Sequence, residues 1–167
     1  GVQYIIEAAR LLRDDPEIHF ELIGDGPEKA AAIALAQRYH LTNVTFEGWM
    51  DQEELVRRAA NADVILGAFG TTPQSLMTVQ NKIYEGLAMG KPVITGENSV
   101  LYRQMADKIY LCKRADPLSL AKAIKNLKNS PGLRIRLAED GYRWYRSYYT
   151  IETLGCSFIN QMKGVLP

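Results

Sequence analysis

Asn81, Lys82 and Glu85 open a segment in which apolar residues recur at helical spacing, with Asn81 where an N-cap is expected. A lysine in the first helical turn is disfavoured by the positive end of the helix dipole, and a bound anion would offset that repulsion. Glu85 lies one turn after Asn81, so its carboxylate can face the same end and accept hydrogen bonds from two sugar hydroxyls. These residues indicate an anionic ligand that carries sugar hydroxyls, although a solvated helix surface explains Lys82 and Glu85 equally well.

Two other segments place glycines directly after apolar runs that are typical of strands. Gly24 and Gly26 precede a helix, where glycines let the backbone approach a ligand and the helix start offers free amides to a phosphate. Gly48 and Trp49 follow another strand, and the tryptophan could line a nucleotide-base pocket. An ordinary turn also explains the first segment, since the fuller dinucleotide motif is missing. A tryptophan packed over the rim of the sheet also explains the second.

The elements that must position these residues alternate between strands and helices. Such alternation implies parallel pairing with right-handed crossovers, hence a doubly wound, Rossmann-like α/β sheet. Ligands bind such sheets at the carboxyl ends of the strands, here at Gly24, at Gly48, after Leu66 and after Thr95. We predict strands at residues 19–23, 44–47, 63–66, 92–95 and 108–112, with a polar loop after residue 66. Helices are predicted at residues 2 to about 14, 28–39, 51–61, 81–89, 100–105, 118–127, 133–149 and 151–165, with Asp51 and Thr150 as caps.

Composition excludes several functional classes. The chain has 167 residues and a formal net charge of +1, whereas a nucleic-acid binder normally needs a concentrated basic surface. We therefore expect no nucleic-acid partner and assign the basic, aromatic run 142–149 to helix packing. Cys112 and Cys156 show no metal-ligand spacing and His19 and His40 are isolated, so we expect no metal site and a reduced, cytoplasmic protein. No apolar run approaches the roughly 20 residues that cross a bilayer.

Taken in order, these motifs resemble the C-terminal domain of retaining GT-B glycosyltransferases of family 4, also called glycosyl transferases group 1. The likeness covers nearly the whole chain, and its specificity comes from the ordered set rather than from one motif. The matching runs are GV at 1–2, IEA at 6–8, GDGP at 24–27, VTFEG at 44–48, ADV at 62–64, EGLAMGKPVI at 85–94 and the segment 115–124.

The resemblance implies that residues 1–167 form a single nucleotide-sugar-binding domain. Glu85 matches the family glutamate that holds the ribose hydroxyls, Trp49 would lie beside the base, and Lys82 matches a lysine that some relatives carry near a phosphate. The amides of residues 79–81 would lie near the sugar and diphosphate. The expected donor-binding residues are Gly24, Gly26, Gly48, Trp49, Val79, Gln80, Asn81, Lys82 and Glu85. No metal and no cofactor are expected, because GT-B enzymes stabilise the departing diphosphate with protein cations and helix dipoles.

The resemblance also implies what the full protein does. It would be a glycosyltransferase of the hexosyltransferase type that acts in polysaccharide or glycolipid biosynthesis with retention of anomeric configuration. An N-terminal domain would bind the acceptor, and the last helices, about 133–167, would pack toward it. We expect a cytoplasmic protein, with peripheral association at the inner face of the membrane left open. The acid and base groups of catalysis are not assigned, and this chain alone should be inactive.

Two departures from the family pattern matter. Met77 stands where a glutamate usually contacts the transferred sugar, eight positions before Glu85. The family's first strand and two diphosphate-binding cations before Gly1 have no counterpart here. That strand would lie between those at Phe20 and Leu66, so we expect a truncated piece with a gap in its sheet.

Two alternative functions stay open. One is a non-catalytic nucleotide- or sugar-binding module, which the methionine at position 77 favours. The other is a sugar-nucleotide epimerase of similar fold, which would need more acidic and histidine residues near the sugar.

Overall fold

The computed structural model of this chain describes residues 1–163. Its strands are β1 (Phe20–Ile23), β2 (Val44–Glu47), β3 (Ile65–Leu66), β4 (Val93–Gly96) and β5 (Tyr110–Cys112). Its helices are α1 (Val2–Leu11), α2 (Lys29–Arg38), α3 (Gln52–Asn61), α4 (Pro73–Met77), α5 (Asn81–Ala88), α6 (Ser99–Met105), α7 (Pro117–Asn129), α8 (Pro131–Tyr148) and α9 (Ile151–Lys163).

All the paired strands run parallel, which confirms the predicted α/β class. β1 pairs with β2 from Phe20 opposite Val44 to Ile23 opposite Glu47. In a separate sheet, β4 pairs with β3 on one side and with β5 on the other. The carboxyl ends of strands within each sheet therefore lie at one edge, where the predicted ligand site should be.

β4 divides the core between the two faces of its sheet. Successive strand residues point to opposite faces. Ile94 accordingly packs in a cluster with α1 and α7, while Val93 packs in another with α5 and α6. All four residues of β4 are buried, so this strand is the centre of the larger sheet.

A gap separates the two sheets, as the sequence predicts. Residues of β1 and of β3 line one cleft, and the two strands are not paired with each other. Helix α3, which follows β2, has no buried residue, and Leu55 and Val56 on it are exposed. An ion pair of Arg58 with Glu21 joins α3 to β1 along the rim of this cleft. The apolar face of α3 thus lacks the packing that α1 and α5 obtain.

Capping side chains set the starts of several helices. The predicted cap Asp51 accepts a hydrogen bond from the amide of Glu54 at 2.9 Å, and Thr150 accepts one from Thr153 at 3.2 Å. Each cap satisfies an amide that has no partner inside its helix. At the other end of α5, Gly90 has a φ of 63°, the left-handed conformation that ends helices and favours glycine.

Several predicted boundaries are wrong, since in the structure α1 ends at Leu11, β5 starts at Tyr110 and α8 starts at Pro131. Three further differences have an identifiable structural reason. The loop after β3 contains α4, because Thr72 caps it and Pro73 suits a first helical position. Gln80, not Asn81, is the N-cap of α5, since its backbone is extended and Asn81 is already helical. β3 pairs only over Ile65–Leu66, because its other edge faces the gap. The predicted end of the last helix at residue 165 lies outside the described residues.

The close contact between α5 and the larger sheet depends on a glycine, which has no side chain, at position 86. A Cβ added at Gly86 would lie 2.8 Å from Cγ2 of Val93 and 3.2 Å from Cβ of Ile65. We expect Gly86→Ala to lower the free energy of unfolding by about 1–3 kcal/mol, because the helix must move off the sheet. Chemical denaturation followed by circular dichroism measures this change.

Gly155→Ala is the matched control, because an added Cβ there meets nothing within 4 Å. Within a helix, alanine is favoured over glycine by roughly 0.5–1 kcal/mol, so this variant should be no less stable than the parent chain. Equal destabilisation by both substitutions would contradict the packing argument.

Candidate functional site

A cleft of about 1890 Å³ runs along the gap between β1 and β3. Ligand pockets usually measure about 300–1,000 Å³, so one ligand would occupy only part of it. Its end at the carboxyl edge of the strands is lined by Gly24, Gly26, Trp49, Lys82 and Glu85. The structure thus brings together five residues that the sequence assigns to one site. Gly48 and Asn81 do not line the cleft but are next in sequence to Trp49 and Lys82, which do. Val79 and Gln80 lie outside the cleft lining, and Val79 packs against the apolar cluster under α5.

The first wall of this site is a pair of loops joined by Asp25. One carboxylate oxygen accepts a hydrogen bond from the backbone amide of Trp49 at 2.6 Å. The other accepts one from Nζ of Lys29 at 2.6 Å, and the same ammonium donates to the carbonyl of Glu47 at 2.8 Å. These contacts hold the loop after β1 against the loop after β2. Asp25 and Lys29 are missed by the motif-based interpretation, although their spacing of four residues is typical of helical ion pairs.

Gly24 makes the first turn possible. Its φ of 126° is a conformation that side chains with a Cβ rarely adopt. Gly26 has open space where a Cβ would be, with no heavy atom within 4 Å. Both features leave open space beside the backbone of this loop.

Trp49 does not pack over the rim of the sheet. Its side chain is 77% exposed although it lines the cleft. A large aromatic ring held at a cleft by its own backbone, with no protein partner covering it, is a surface on which a planar base can stack. This geometry favours the base-pocket interpretation of Trp49 over the rim-packing one.

The second wall is the start of α5. Lys82 and Glu85 are exposed and line the cleft, whereas Ile83 and Leu87 on the same helix are buried against the larger sheet. Between residues 1 and 163, neither Lys82 nor Glu85 forms an ion pair. A cation and a carboxylate on one cleft wall are therefore both available to a ligand.

The segment between β3 and α5 is anchored from below by buried polar side chains. The Thr95 hydroxyl accepts from the amide of Ala68 at 3.1 Å and donates to the carbonyl of the same residue at 3.2 Å. Nδ2 of Asn98 donates to the carbonyls of Ser75 and Thr78, each at 3.2 Å. This segment carries Val79 and Gln80 to the start of α5, so its conformation sets where their amides point.

Arg114 is a further anchor that the motifs do not reveal. Its guanidinium donates to the backbone carbonyls of Ala68 and Gly70, after β3, and of Gly96 and Glu97, at the end of β4. Burial holds the pKa of Arg114 below its usual range. A lone arginine after a strand carries no distinctive spacing, which is why the sequence does not identify it.

Met77 lies on α4 with its side chain 68% exposed, and it does not line the cleft. In the part of the chain that is described, no cluster of three histidine, cysteine or acidic residues could hold a metal ion. Over the same residues, every helix is too short or too polar to span a bilayer.

The aromatic run 142–149 packs in part, as predicted. The ring centroid of Tyr149 lies 4.8 Å from that of Trp144 and 4.9 Å from that of Tyr84 on α5. Burial in this cluster, with the neighbouring Tyr149 hydroxyl, raises the pKa of Tyr84 to about 12. The cluster fixes α8 against the helix that carries Lys82 and Glu85.

Comparison with known proteins gives a consistent result. The family model described as glycosyl transferases group 1 matches residues 1–130. A curated relative, the lipopolysaccharide core biosynthesis glycosyltransferase LpsD of Rhizobium meliloti, is 26% identical over 156 residues. That match covers 90% of this chain and 43% of the relative, so the chain spans less than half of the relative's length.

Solved structures show the same fold. Anabaena HepE, in complex with UDP and glucose, matches with a TM-score of 0.83 and 17% identity, over 98% of this chain and 45% of that one. Sucrose-phosphate synthase of Thermosynechococcus elongatus matches with a TM-score of 0.79 and 22% identity, over 99% of this chain and 42% of that one. The C-terminal domain of a group 1 glycosyl transferase, LpcC of Francisella tularensis, matches with a TM-score of 0.71 and 21% identity. That match covers 90% of this chain and 80% of the other. The predicted α/β fold is therefore that of GT-B glycosyltransferase domains.

The contact between the two loops should depend on pH. Hydrogen bonds from Lys29 and from the Trp49 amide hold the pKa of Asp25 below its ordinary value of 3.8. A carboxyl whose pKa is lowered by folding stabilises the contact above that ordinary value and loses the effect as pH falls through the folded pKa. We expect the Trp49 amide resonance to stay constant from pH 7 to pH 5 and to shift below about pH 4.

Two-dimensional NMR at a series of pH values measures this shift. In Asp25→Asn the amide should show no such titration, whereas Asp14→Asn, at an exposed residue of another loop, should leave it unchanged. A Trp49 amide that titrates identically in Asp25→Asn would contradict the assignment.

Proposed function

We propose that this chain, which belongs to the glycosyl transferases group 1 family, is the donor-binding domain of a glycosyltransferase that moves a sugar from a nucleotide-sugar to an acceptor with retention of configuration. The observation that carries the proposal is the convergence of Trp49, Lys82 and Glu85 on one cleft at the carboxyl ends of parallel strands. This is where doubly wound sheets bind nucleotides.

Each residue has a role that matches its chemistry. Glu85 accepts hydrogen bonds from the two ribose hydroxyls, as an unpaired carboxylate can. Trp49 stacks on the base. Lys82 faces the diphosphate together with the amides of residues 79–81, at the positive end of α5. The glycine loop at 24–26 leaves room for the ligand. HepE, which shares the fold, is named as a complex with UDP and glucose, and this supports a uridine nucleotide as the first donor to test.

The transfer step breaks the bond between the anomeric carbon and the diphosphate oxygen, and the electron pair leaves with the diphosphate. The acceptor oxygen forms the new bond to carbon and gives up its proton. Lys82 and the dipole of α5 stabilise the negative charge that develops on the leaving group, without a metal ion or other cofactor. The acceptor and its acid and base groups belong to the rest of the protein, so this chain alone does not catalyse transfer.

The exposed apolar side chains of the last helix favour a contact with another domain. α9 has no buried residue, and its Ile151 and Phe158 are 87% and 63% exposed. We propose that residues from about 133 onward pack against an N-terminal acceptor domain. The relative LpsD is named for lipopolysaccharide core biosynthesis, which supports a role in glycolipid or polysaccharide assembly. We propose that the transferred group is a hexosyl unit and that the protein acts in the cytoplasm.

A second candidate is a non-catalytic nucleotide- or sugar-binding module. The exposed Met77, at the position where relatives carry a sugar-contacting glutamate, favours it. The two candidates share the nucleotide site and differ in turnover. A full-length protein that binds UDP-glucose yet neither hydrolyses nor transfers the sugar would favour the module.

The first experiment is saturation-transfer NMR of this chain with UDP, GDP, ADP and TDP and their glucose derivatives. We expect ribose and base signals with one nucleotide and a loss of affinity in Glu85→Ala. A hydrogen bond to a charged group contributes about 1.5–3 kcal/mol, which corresponds to a decrease of roughly tenfold or more. Glu139→Ala removes an exposed carboxylate on α8 and should change nothing. Silence of the folded parent chain across the panel would contradict a donor site in it.

Removing the aromatic surface tests the base pocket separately. We expect Trp49→Ala to weaken nucleotide binding by about 1–3 kcal/mol, the usual contribution of stacking on a base. Because Trp49 is 77% exposed, the melting temperature should not change. Trp49→Phe keeps a stacking ring and should retain most of the affinity. Calorimetric titration with UDP measures the affinity of the parent chain and of both variants. An affinity of Trp49→Ala equal to that of the parent chain would show that the base lies elsewhere.

A further inference from the structure

Arg114 joins two segments that lie at the carboxyl edge of the larger sheet. Its Nε donates to the carbonyl of Glu97 at 2.8 Å and Nη2 donates to Gly96 at 2.5 Å, both at the end of β4. Nη1 donates to Ala68 at 3.2 Å and to Gly70 at 2.8 Å, both after β3. One planar guanidinium therefore joins two chain segments just beyond the last β3–β4 pair, where the Gly96 amide also donates to the carbonyl of Ala68 at 3.0 Å.

Within residues 1–163 the guanidinium of Arg114 forms no direct ion pair. The Glu97 carboxylate acts on it only through space, since it accepts a hydrogen bond from the Tyr102 hydroxyl at 2.8 Å. Carbonyl dipoles solvate the guanidinium but do not neutralise it. A half-buried cation without a counter-ion is costly, and a bound anion at the same edge would reduce that cost.

The segment that Arg114 holds leads to the start of α5. Gly70, one of its acceptors, also accepts from the Ser75 hydroxyl at 2.8 Å at the beginning of α4. Asn98 fixes the end of α4 through the carbonyls of Ser75 and Thr78. Two residues later the chain reaches the amides of residues 80 and 81. A shift at Gly70 would therefore move the end of α5 that carries Lys82.

The start of α1 meets the same point. A Cβ added at Gly70 would lie 3.3 Å from Cα of Gly1, the N-cap of α1. The positive end of that helix dipole and the Arg114 guanidinium thus both adjoin Gly70. The Glu28 carboxylate accepts from the Gly1 amino group at 2.7 Å and from the Val2 amide at 3.3 Å, so the start of α1 has a negative partner of its own. The Arg114 guanidinium, in contrast, is held by carbonyls.

We infer that Arg114 is a positioning residue for the diphosphate of the donor: it holds the segments after β3 and β4 in register, so that the start of α5 meets the phosphates. This inference rests on the proposed nucleotide-sugar site. The role requires the planar fork of arginine, because a lysine ammonium is a single point charge that cannot join four carbonyls in one plane.

The test compares UDP with uridine, which lacks the phosphates, in the parent chain and in Arg114→Gln, Arg114→Lys and Arg103→Gln. Arg103 is an exposed arginine whose hydrogen bond goes to Ser99 in its own helix, so it serves as the control. Misplacement of a binding group by about 1 Å can cost up to a hundredfold. We expect both Arg114 variants to lose about tenfold or more in UDP affinity while uridine affinity stays within about twofold.

Amide hydrogen exchange on the free chain provides a readout that needs no ligand. The amides of Gly96 and Ala115 donate to the carbonyls of Ala68 and Phe69, across the junction that Arg114 holds. They should exchange faster in both Arg114 variants, and at the parent rate in Arg103→Gln.

The outcomes separate the inference from the function on which it rests. If the parent chain binds neither UDP nor uridine, the proposed nucleotide site is wrong, and the positioning role is wrong with it. If the parent chain binds UDP and Arg114→Lys retains the full UDP affinity, the positioning role alone is overturned. Equal losses for UDP and uridine would show general loosening of the domain, and unchanged amide exchange in Arg114→Gln would show that the junction does not depend on this residue. Both results contradict the inference.

Discussion

The parallel pairing of β4 with β3 and β5 is the constraint on which the rest of the structure depends. β4 is buried along its whole length, so its backbone polar groups must be paired and its side chains must pack on both faces. Pairing on both sides satisfies the first requirement, and helices on both faces satisfy the second. Because the strands are parallel, the segments that follow them emerge at one edge, and the candidate site lies there.

Charged side chains at this edge fall into two groups: one pair forms an ion pair, and the others do not. Asp25 and Lys29 neutralise each other and join two loops, so they form part of the framework. Lys82, Glu85 and Arg114 have no ion-pair partners between residues 1 and 163 and differ in exposure. Lys82 and Glu85 face the cleft, whereas Arg114 is half-buried among carbonyls. A site for a ligand with both phosphates and hydroxyls needs this combination of free charges on a firmly held backbone.

Packing is uneven across the domain. Where an element packs on the larger sheet, as α1 and α5 do, it contributes fully buried apolar side chains such as Ile6 and Leu87. Helices α3 and α9 have no buried residue, and the cleft divides the sheet between β1 and β3. The site is thus built on the well-packed larger sheet on one side and on the smaller β1–β2 sheet on the other. The contacts of Asp25 matter for that reason, since they stiffen the less supported wall.

Local sequence determined much of this protein. Hydrophobic periodicity and capping residues such as Asp51 predicted most helices and strands, because these depend on neighbours within a few positions. The glycine at position 24 and the aromatic residue at 49 marked the loops of the site, and the order of motifs indicated the family. Only the tertiary structure decided that Trp49 is exposed, that Asp25 joins two loops, and that Arg114 holds the segments after two strands. Those features depend on contacts between residues 17 to 46 positions apart, and such contacts arise from packing of whole elements rather than from any local pattern.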